Sequence, residues 1–501
     1  MYIAKRGFAK LTDTAKAAAQ AAASQSRSGS DRSPSSSSSS SPRSSSHSQH
    51  PHFGHEGHVL RVTRLPNDLL VATEDHASPL ARICVAVKAG SRYEPAELPG
   101  LTHHLRGVAS CATKQCSAFG LSRNLEQLGA SFRASTTRDL MLYTLEVSRQ
   151  NLKEAIKFLS YATTQQEFKA WEVHDAQDRL LVDLDILKIH PEVRLVELLH
   201  KAAYRDGLKN SLYAPRFTAG NYHGSMLTEF AKATFKTNRM AISGVGVSHD
   251  ELLNYAQKYF KMDVGEKEHA LTPWSAVTNI EPVDHRVHHI NGGNIVSEPA
   301  RYGGGEAYEE TIDCLTYAAY VTEGPGLNEP RQLLALKLLQ HVIGGSSKIK
   351  WGRGVSPLAR AAASATNEPF AVNPVSFDHA DSSLFGVAVV CNPKDARNVL
   401  RATIDILHGK EGVDQQRLEQ AKNRLASAIL MGHESGAELV QDMATQALIN
   451  KQILTPEDAA NMVGKISLEE LIMAAKHALA GRATFAAVGN LAYCPRLDDV
   501  A

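Results

Sequence analysis

Phe132-Arg133-Ala134-Ser135-Thr136 followed by Met141-Leu142-Tyr143-Thr144-Leu145-Glu146-Val147 is the stretch on which the fold turns. The first run is a short stretch opened by an aromatic residue and closed by a β-branched one. The second is rich in the aliphatic and aromatic residues that fill pleated surfaces. A short turn separates them, so they read as adjacent strands. A helix is expected next, from Leu152 to Leu159. The same succession recurs downstream. Phe370 to Phe377 and Leu384-Phe385-Gly386-Val387-Ala388-Val389-Val390 read as strands, and a helix is expected from Ala396 to Leu407.

The parallel extends outward in both directions. Upstream, Leu60-Arg61-Val62-Thr63-Arg64-Leu65 alternates as a half-buried strand, Asn67-Asp68 turns, and Leu69 to Thr73 returns. Ile83-Cys84-Val85-Ala86-Val87 is a buried strand, and a helix starts near Pro99-Gly100. The counterpart is Leu315 to Val321, broken by Gly324, Pro325, Gly326 and Pro330, with a helix carrying Leu333, Leu334, Leu336, Leu338, Leu339 and Val342. Downstream, each copy has a long charged helix, Trp171 to Leu187 and Gln415 to Leu430, and a closing strand, Arg239 to Gly246 and Ala483 to Gly489. The expected fold class is therefore α+β: two homologous α/β sandwich halves, each a mixed sheet covered by helices. Pro273 to Pro282 marks the break. The expected divisions are 1–58, an address and tether; 59–275, the first domain; 276–284, a linker; and 285–501, the second domain.

A chain of 501 residues is too long for one core, which agrees with two domains. No run of about 18 apolar residues occurs, so no membrane-spanning helix is expected. A net charge of +1 argues against nucleic acid as the main partner. The six cysteines, at 84, 111, 116, 314, 391 and 494, form no Cys-x-x-Cys pair. They read as reduced, mostly buried small residues rather than a disulfide framework, haem attachment or cluster site.

Residues 1–24 hold Lys5, Arg6, Lys10 and Lys16 against a single acid, Asp13. On a helical wheel Phe8, Leu11, Ala15, Ala18 and Ala22 share one face and the cations lie outside it. A basic, acid-poor amphipathic helix is the profile of a mitochondrial presequence, and Arg6-Gly7-Phe8-Ala9 places the expected cut between Phe8 and Ala9. Residues 25–58, with the serine run Ser35 to Ser41, are expected to be disordered, and His47, His50, His52, His55 and His58 to be solvated linker.

Gly100-Leu101-Thr102-His103-His104-Leu105-Arg106-Gly107 resembles the inverted zinc motif of pitrilysin-type peptidases and mitochondrial processing peptidase, Gly-x-x-His-x-x-Glu-His. There two His four residues apart share a zinc ion on one helix face, and the Glu activates the bound water. Carried over by position, only His103 remains. Arg106 stands at the catalytic Glu and Gly107 at the second His. His104 cannot substitute, because adjacent helical residues point about 100° apart, and Val108 is no ligand. The family's third ligand precedes a Leu-His-x-x-x-Tyr segment, matched here by Leu199 to Tyr204. That places it near Val193, with Glu192 and Glu197 as near misses.

No replacement motif is found: His55-Glu56-Gly57-His58 has the wrong spacing, His433-Glu434 lacks a second His, and His285, His288 and His289 have no acid partner nearby. Gly344-Gly345-Ser346-Ser347-Lys348 resembles a shortened glycine-rich loop of the processing peptidase's non-catalytic subunit, or simply ends a helix. The resemblance implies a pseudo-peptidase with no catalytic residues, no bound metal and no cofactor.

Further stretches, among them Ala118 to Arg123, Gly129 to Val147, His200 to Tyr213, Arg239 to Asp250 and Leu338 to Gly345, resemble the family's inactive branch, the core subunits of ubiquinol–cytochrome c reductase (respiratory complex III). The resemblance covers residue 59 onward. It implies a structural role at the mitochondrial inner membrane, peripheral and facing the matrix. The partners it implies are a core protein 1-like subunit and the other subunits of that complex (cytochrome b, cytochrome c1 and the Rieske protein side). Two alternatives stay open at this point: a non-catalytic subunit of, or assistant to, a processing peptidase, and a free-standing scaffold. The serine-rich extension is longer than the family's usual N-terminal region.

Overall fold

The computed structural model describes residues 60–75, 78–262, 299–346, 354–409 and 412–500. The presequence, the serine-rich tract, the 276–284 linker, His285, His288 and His289 lie outside the described residues. The first half runs β1 (Leu60–Arg64), β2 (Leu70–Glu74), β3 (Leu80–Val87), α1 (Leu101–Gly107), α2 (Ala118–Gln127), β4 (Ser131–Thr136), β5 (Met141–Ser148), α3 (Leu152–Thr164), α4 (Ala170–Ile189), α5 (Pro191–Ala203), α6 (Gly224–Thr234), β6 (Met240–Val245) and α7 (His249–Tyr259). The second runs β7 (Gly305–Glu310), β8 (Thr316–Pro325), α8 (Pro330–Ile343), α9 (Pro357–Ala365), β9 (Ala371–Asp378), β10 (Ser382–Cys391), α10 (Ala396–Leu407), α11 (Gln415–His433), α12 (Gly436–Ile449), α13 (Pro456–Gly464), α14 (Leu468–Leu479), β11 (Thr484–Gly489) and α15 (Leu497–Val500).

The two sheets share one topology. Their strand orders are β1-β2-β6-β3-β5-β4 and β7-β11-β8-β10-β9, which superpose once β1 is set aside. In each, a single parallel pair, β2 with β6 or β7 with β11, joins otherwise antiparallel neighbours. A parallel pair needs a long crossover, and here the intervening helices supply it. The expected strand pair is present: β4 lies antiparallel to β5, with Phe132 opposite Leu145. The mixed-sheet α+β reading thus holds in both halves. β7, with only half-buried and exposed side chains, carried no strand pattern to read.

Helices cover both faces of each sheet. On β3, Ala81, Ile83, Val85 and Val87 enter the core of their own half, under α1, α3 and α6. The alternate residues Cys84 and Ala86 face the other way, onto α12 of the second half. On β10, Phe385, Val387 and Val389 enter their own core, while Leu384, Ala388 and Val390 face α5 of the first half. The period of two along a strand thus assigns successive residues to two different cores. It also explains why these strands read as continuous apolar runs.

The halves exchange a helix. α5 lays Leu195, Leu199 and Ala203 on Ala319, Val321, Ala486 and Val488 of the second sheet. α12 lays Leu439, Val440, Met443, Ala444 and Ala447 on Ala72, Ala241 and Val245 of the first. Alanines on both sheet faces let the helices approach closely, and Ser243 Oγ donates to the Val440 carbonyl at 2.5 Å. Each buried Leu, Val or Met contributes about 1.5–3 kcal/mol. Pro191 sets the start of α5, where its missing N–H costs nothing, and so turns the chain out of α4.

Candidate functional site

The motif helix α1 is held at its start by a buried carboxylate. Glu94 accepts from the backbone N–H of Gly100 (2.7 Å) and of Thr102 (2.8 Å), and from the Thr102 hydroxyl (2.5 Å). It fills the role of an N-cap from six residues upstream. Burial raises the Glu94 carboxyl to about 7 despite the three hydrogen bonds, which pull the other way. Gly100 turns into the helix at φ 88°, and a Cβ there would lie 2.3 Å from Ala214 Cα. Only glycine fits both demands.

His103 is fully buried, and both ring nitrogens are engaged. Nδ1 accepts the backbone N–H of Ala214 at 3.1 Å. The proton of the neutral ring is therefore on Nε2, which faces Asp183 Oδ2 at 3.2 Å. Burial, and then Arg106, lowers His103 to about 4, so the ring is neutral at physiological pH. Tyr213 packs edge-on against it, with ring centroids 5.6 Å apart. His104 turns away and lies against Tyr222, at 4.6 Å between centroids.

Arg106 Nη2 donates to the same Asp183 oxygen at 2.6 Å. Asp183 lies on α4, which runs beside α1: a Cβ at Gly107 would touch Leu180 Cδ2 at 3.7 Å, and Asp183 is one turn further along. The acid facing the motif helix is therefore Asp183, not a residue near Val193, where the sequence reading looked for it. Val193 is on α5. Its neighbours are engaged elsewhere: Glu192 with His190 Nδ1 at 3.1 Å, and Glu197 with the Leu212 N–H at 3.1 Å and Arg138 at 2.9 Å. Asp183 and His103 are 80 residues apart, and no periodicity links them. Only the helix packing brings them together.

This donor set does not fit zinc. A zinc-bound imidazole must offer a lone pair, but the Nδ1 lone pair of His103 is taken by the Ala214 N–H and Nε2 carries the proton. Arg106 fixes a positive charge on the Asp183 carboxylate, and Gly107 has no side chain. Among the described residues, no group of three or more His, Cys, Asp or Glu is placed to hold a metal ion.

The remaining candidates fall elsewhere. His433, at the end of α11, bonds the Ile429 carbonyl and, at 3.1 Å, Asp442; that hydrogen bond raises its pKa. Gly344 ends α8 at φ 64°. Ser346 is stitched to β9 by two 2.7 Å hydrogen bonds with the Val372 backbone. Ser347 and Lys348 lie outside the described residues. The six cysteines are free: Cys84 and Cys391 are buried, Cys111, Cys116 and Cys494 half-buried, and Cys314 exposed. Burial pushes the Cys84 and Cys391 thiols up to about 12, so both are unreactive.

Comparison with known proteins agrees with the duplicated fold. Residues 70–216 match the profile of insulinase (peptidase family M16), and residues 225–425 match the peptidase M16 inactive domain. The chain is similar to cytochrome b-c1 complex subunit 2, mitochondrial, of Homo sapiens, with 32% identity over 444 residues, 88% of this chain and 92% of that protein. The Mus musculus counterpart is 30% identical over the same shares of both chains. A probable mitochondrial-processing peptidase subunit alpha-1 of Arabidopsis thaliana is 27% identical over 449 residues, 88% of this chain and 84% of that protein. A duplicated mixed-sheet sandwich, a His-x-x-Arg-Gly helix in the position of the zinc motif and these likenesses agree on one conclusion: the chain belongs to peptidase family M16.

Proposed function

We propose that this chain is a non-catalytic structural core subunit of ubiquinol–cytochrome c reductase, respiratory complex III. It supports the assembly and stability of the complex in mitochondrial electron transport. The observation that carries the reading is the Arg106–Asp183 ion pair, which stands where the family's metal chemistry would need a base and a free carboxylate. A side chain that neutralises Asp183, beside a glycine in place of a ligand, suits a protein kept for its shape. The likeness to cytochrome b-c1 complex subunit 2 at 30–32% identity, against 27% for the Arabidopsis thaliana processing-peptidase subunit, favours this reading over the peptidase-subunit alternative.

On this reading the partners are a core protein 1-like subunit and the cytochrome b, cytochrome c1 and Rieske side of the complex. The chain lies at the matrix face of the inner membrane, as a peripheral subunit. No helix among the described residues is long and apolar enough to cross a membrane, so attachment runs through those partners. Native-gel fractionation of mitochondria, with mass spectrometry of each band, tests the proposal. The chain is expected in the complex III band, beginning at or near Ala9. Recovery only in a band free of cytochrome b and cytochrome c1 would overturn it.

A further inference from the structure

The corner between α11 and α12 sits at the seam of the two halves. Gly436 opens α12 against β3 of the first half, where a Cβ on it would lie 2.7 Å from Arg82 Nη1. Gln441 Nε2 donates to Thr144 Oγ1 of β5 at 3.2 Å. His433 closes α11 and reaches across the corner. Its Nδ1 lies 2.7 Å from the Ile429 carbonyl oxygen, and its Nε2 lies 3.1 Å from Oδ2 of Asp442, on α12.

The hydrogen bonds around this ring are fixed from both ends. The Ile429 carbonyl can only accept, so Nδ1 carries a proton. At the other end the Leu454 N–H donates to Gln446 Oε1 at 2.7 Å. That turns the Gln446 amide NH2 onto Asp442 Oδ2, also at 2.7 Å. One proton is left to place, between the same Oδ2 and His433 Nε2. Burial works against charge on Asp442, but the hydrogen bond to His433, the Gln446 amide and the Lys337 charge hold its carboxyl below the ordinary value. The proton therefore belongs to Nε2, and the ring is an imidazolium. Its hydrogen bond to Asp442 favours that form against burial, and Glu74 of β2 adds to it. Lys337 of α8, which acts on Asp442, is itself paired with Asp378 of β9 at 3.0 Å. A cation in the last turn of α11 also suits the negative end of a helix.

We propose that a doubly protonated His433 clasps the α11–α12 corner and makes the docking of α12 on the first half pH-dependent. While both protons are present, one ring ties the end of α11 to the second turn of α12. Once Nε2 loses its proton, a lone pair faces the Asp442 carboxylate, and the tie becomes a repulsion. An imidazolium favoured by the fold adds stability that is complete below the unfolded-state value of about 6.5 and is lost as pH rises through the higher folded-state value. The helix so released is the one that lays Leu439, Val440, Met443, Ala444 and Ala447 on the first sheet. The clasp does not depend on which complex the chain joins.

Hydrogen exchange by mass spectrometry on the full chain, from about pH 6 to about pH 9, reads both parts of the proposal. Exchange at the imidazole C2 position gives the titration midpoint of the His433 peptide. Exchange at backbone amides, corrected for its intrinsic pH dependence, gives the opening of α12. The expected midpoint lies above about 6.5 and falls in Asp442→Asn, and α12 is expected to open more as pH rises. His433→Gln should leave that opening flat with pH. A wild-type midpoint at or below about 6.5 would overturn the clasp, as would an α12 opening that ignores pH or that keeps its pH dependence in His433→Gln. The two wild-type readings decide the matter even if neither variant folds.

Discussion

Asp183 Oδ2 accepts from His103 Nε2 at 3.2 Å and from Arg106 Nη2 at 2.6 Å, so one carboxylate oxygen neutralises the degenerate motif. The arginine is the natural partner for the acid that α4 delivers there. The histidine left between them is neutral, buried and structural.

The first prediction concerns repair of the motif. Arg106→Glu alone should bind no zinc, because Gly107 still lacks an imidazole. Adding Gly107→His should fold, since a Cβ there meets Leu180 at an ordinary 3.7 Å. The double variant should still fail to bind stoichiometric zinc, because His103 Nδ1 accepts the Ala214 N–H and leaves its proton on Nε2. Calorimetric zinc titration checks this. Tight binding at one ion per chain would show that His103 readily changes tautomer.

Glu94 should leave a mark on the pH dependence of stability. Its folded-state value of about 7 lies above the ordinary 4.5, so the fold holds this proton more tightly than the unfolded chain does. Stability therefore falls as pH rises from about 4.5 to about 7, by an amount on the order of 3 kcal/mol. Glu94→Gln should flatten that part of the profile, while costing about 1–2 kcal/mol through a mismatched cap. Urea denaturation at several pH values measures both. An unchanged slope would mean that Glu94 ionises freely.

The exchanged helices predict that neither half stands alone. Leu199→Ala and Val440→Ala each remove apolar volume from a core shared between halves, and the leucine truncation should cost about 2–5 kcal/mol. Residues 60–262 and 299–500 expressed separately should aggregate, since each exposes a sheet face that the other half covers. Co-expression should restore a soluble pair. Two fragments that are monomeric and cooperative on their own would contradict this.

Much of the fold was legible because strands covered on both faces read as short apolar runs, as at Leu384 to Val390, and because the same order of elements appears twice. β7 was missed because its residues are largely polar. The helix exchange was hidden because the apolar stripe of α5, Leu195, Leu199 and Ala203, is legible as a stripe but does not say which sheet it meets. The loss at Arg106 and Gly107 follows from position within one helix, and local reading suffices. Asp183 does not follow that way, because it reaches the motif only through the packing of α4 on α1.

The central claim is that this M16 fold carries no peptidase chemistry of its own. The most direct measurement is zinc content by elemental analysis of the purified chain, paired with a presequence-cleavage assay without its relatives. The account predicts substoichiometric zinc and no cleavage that a chelator abolishes. One zinc per chain with chelator-sensitive cleavage would contradict it.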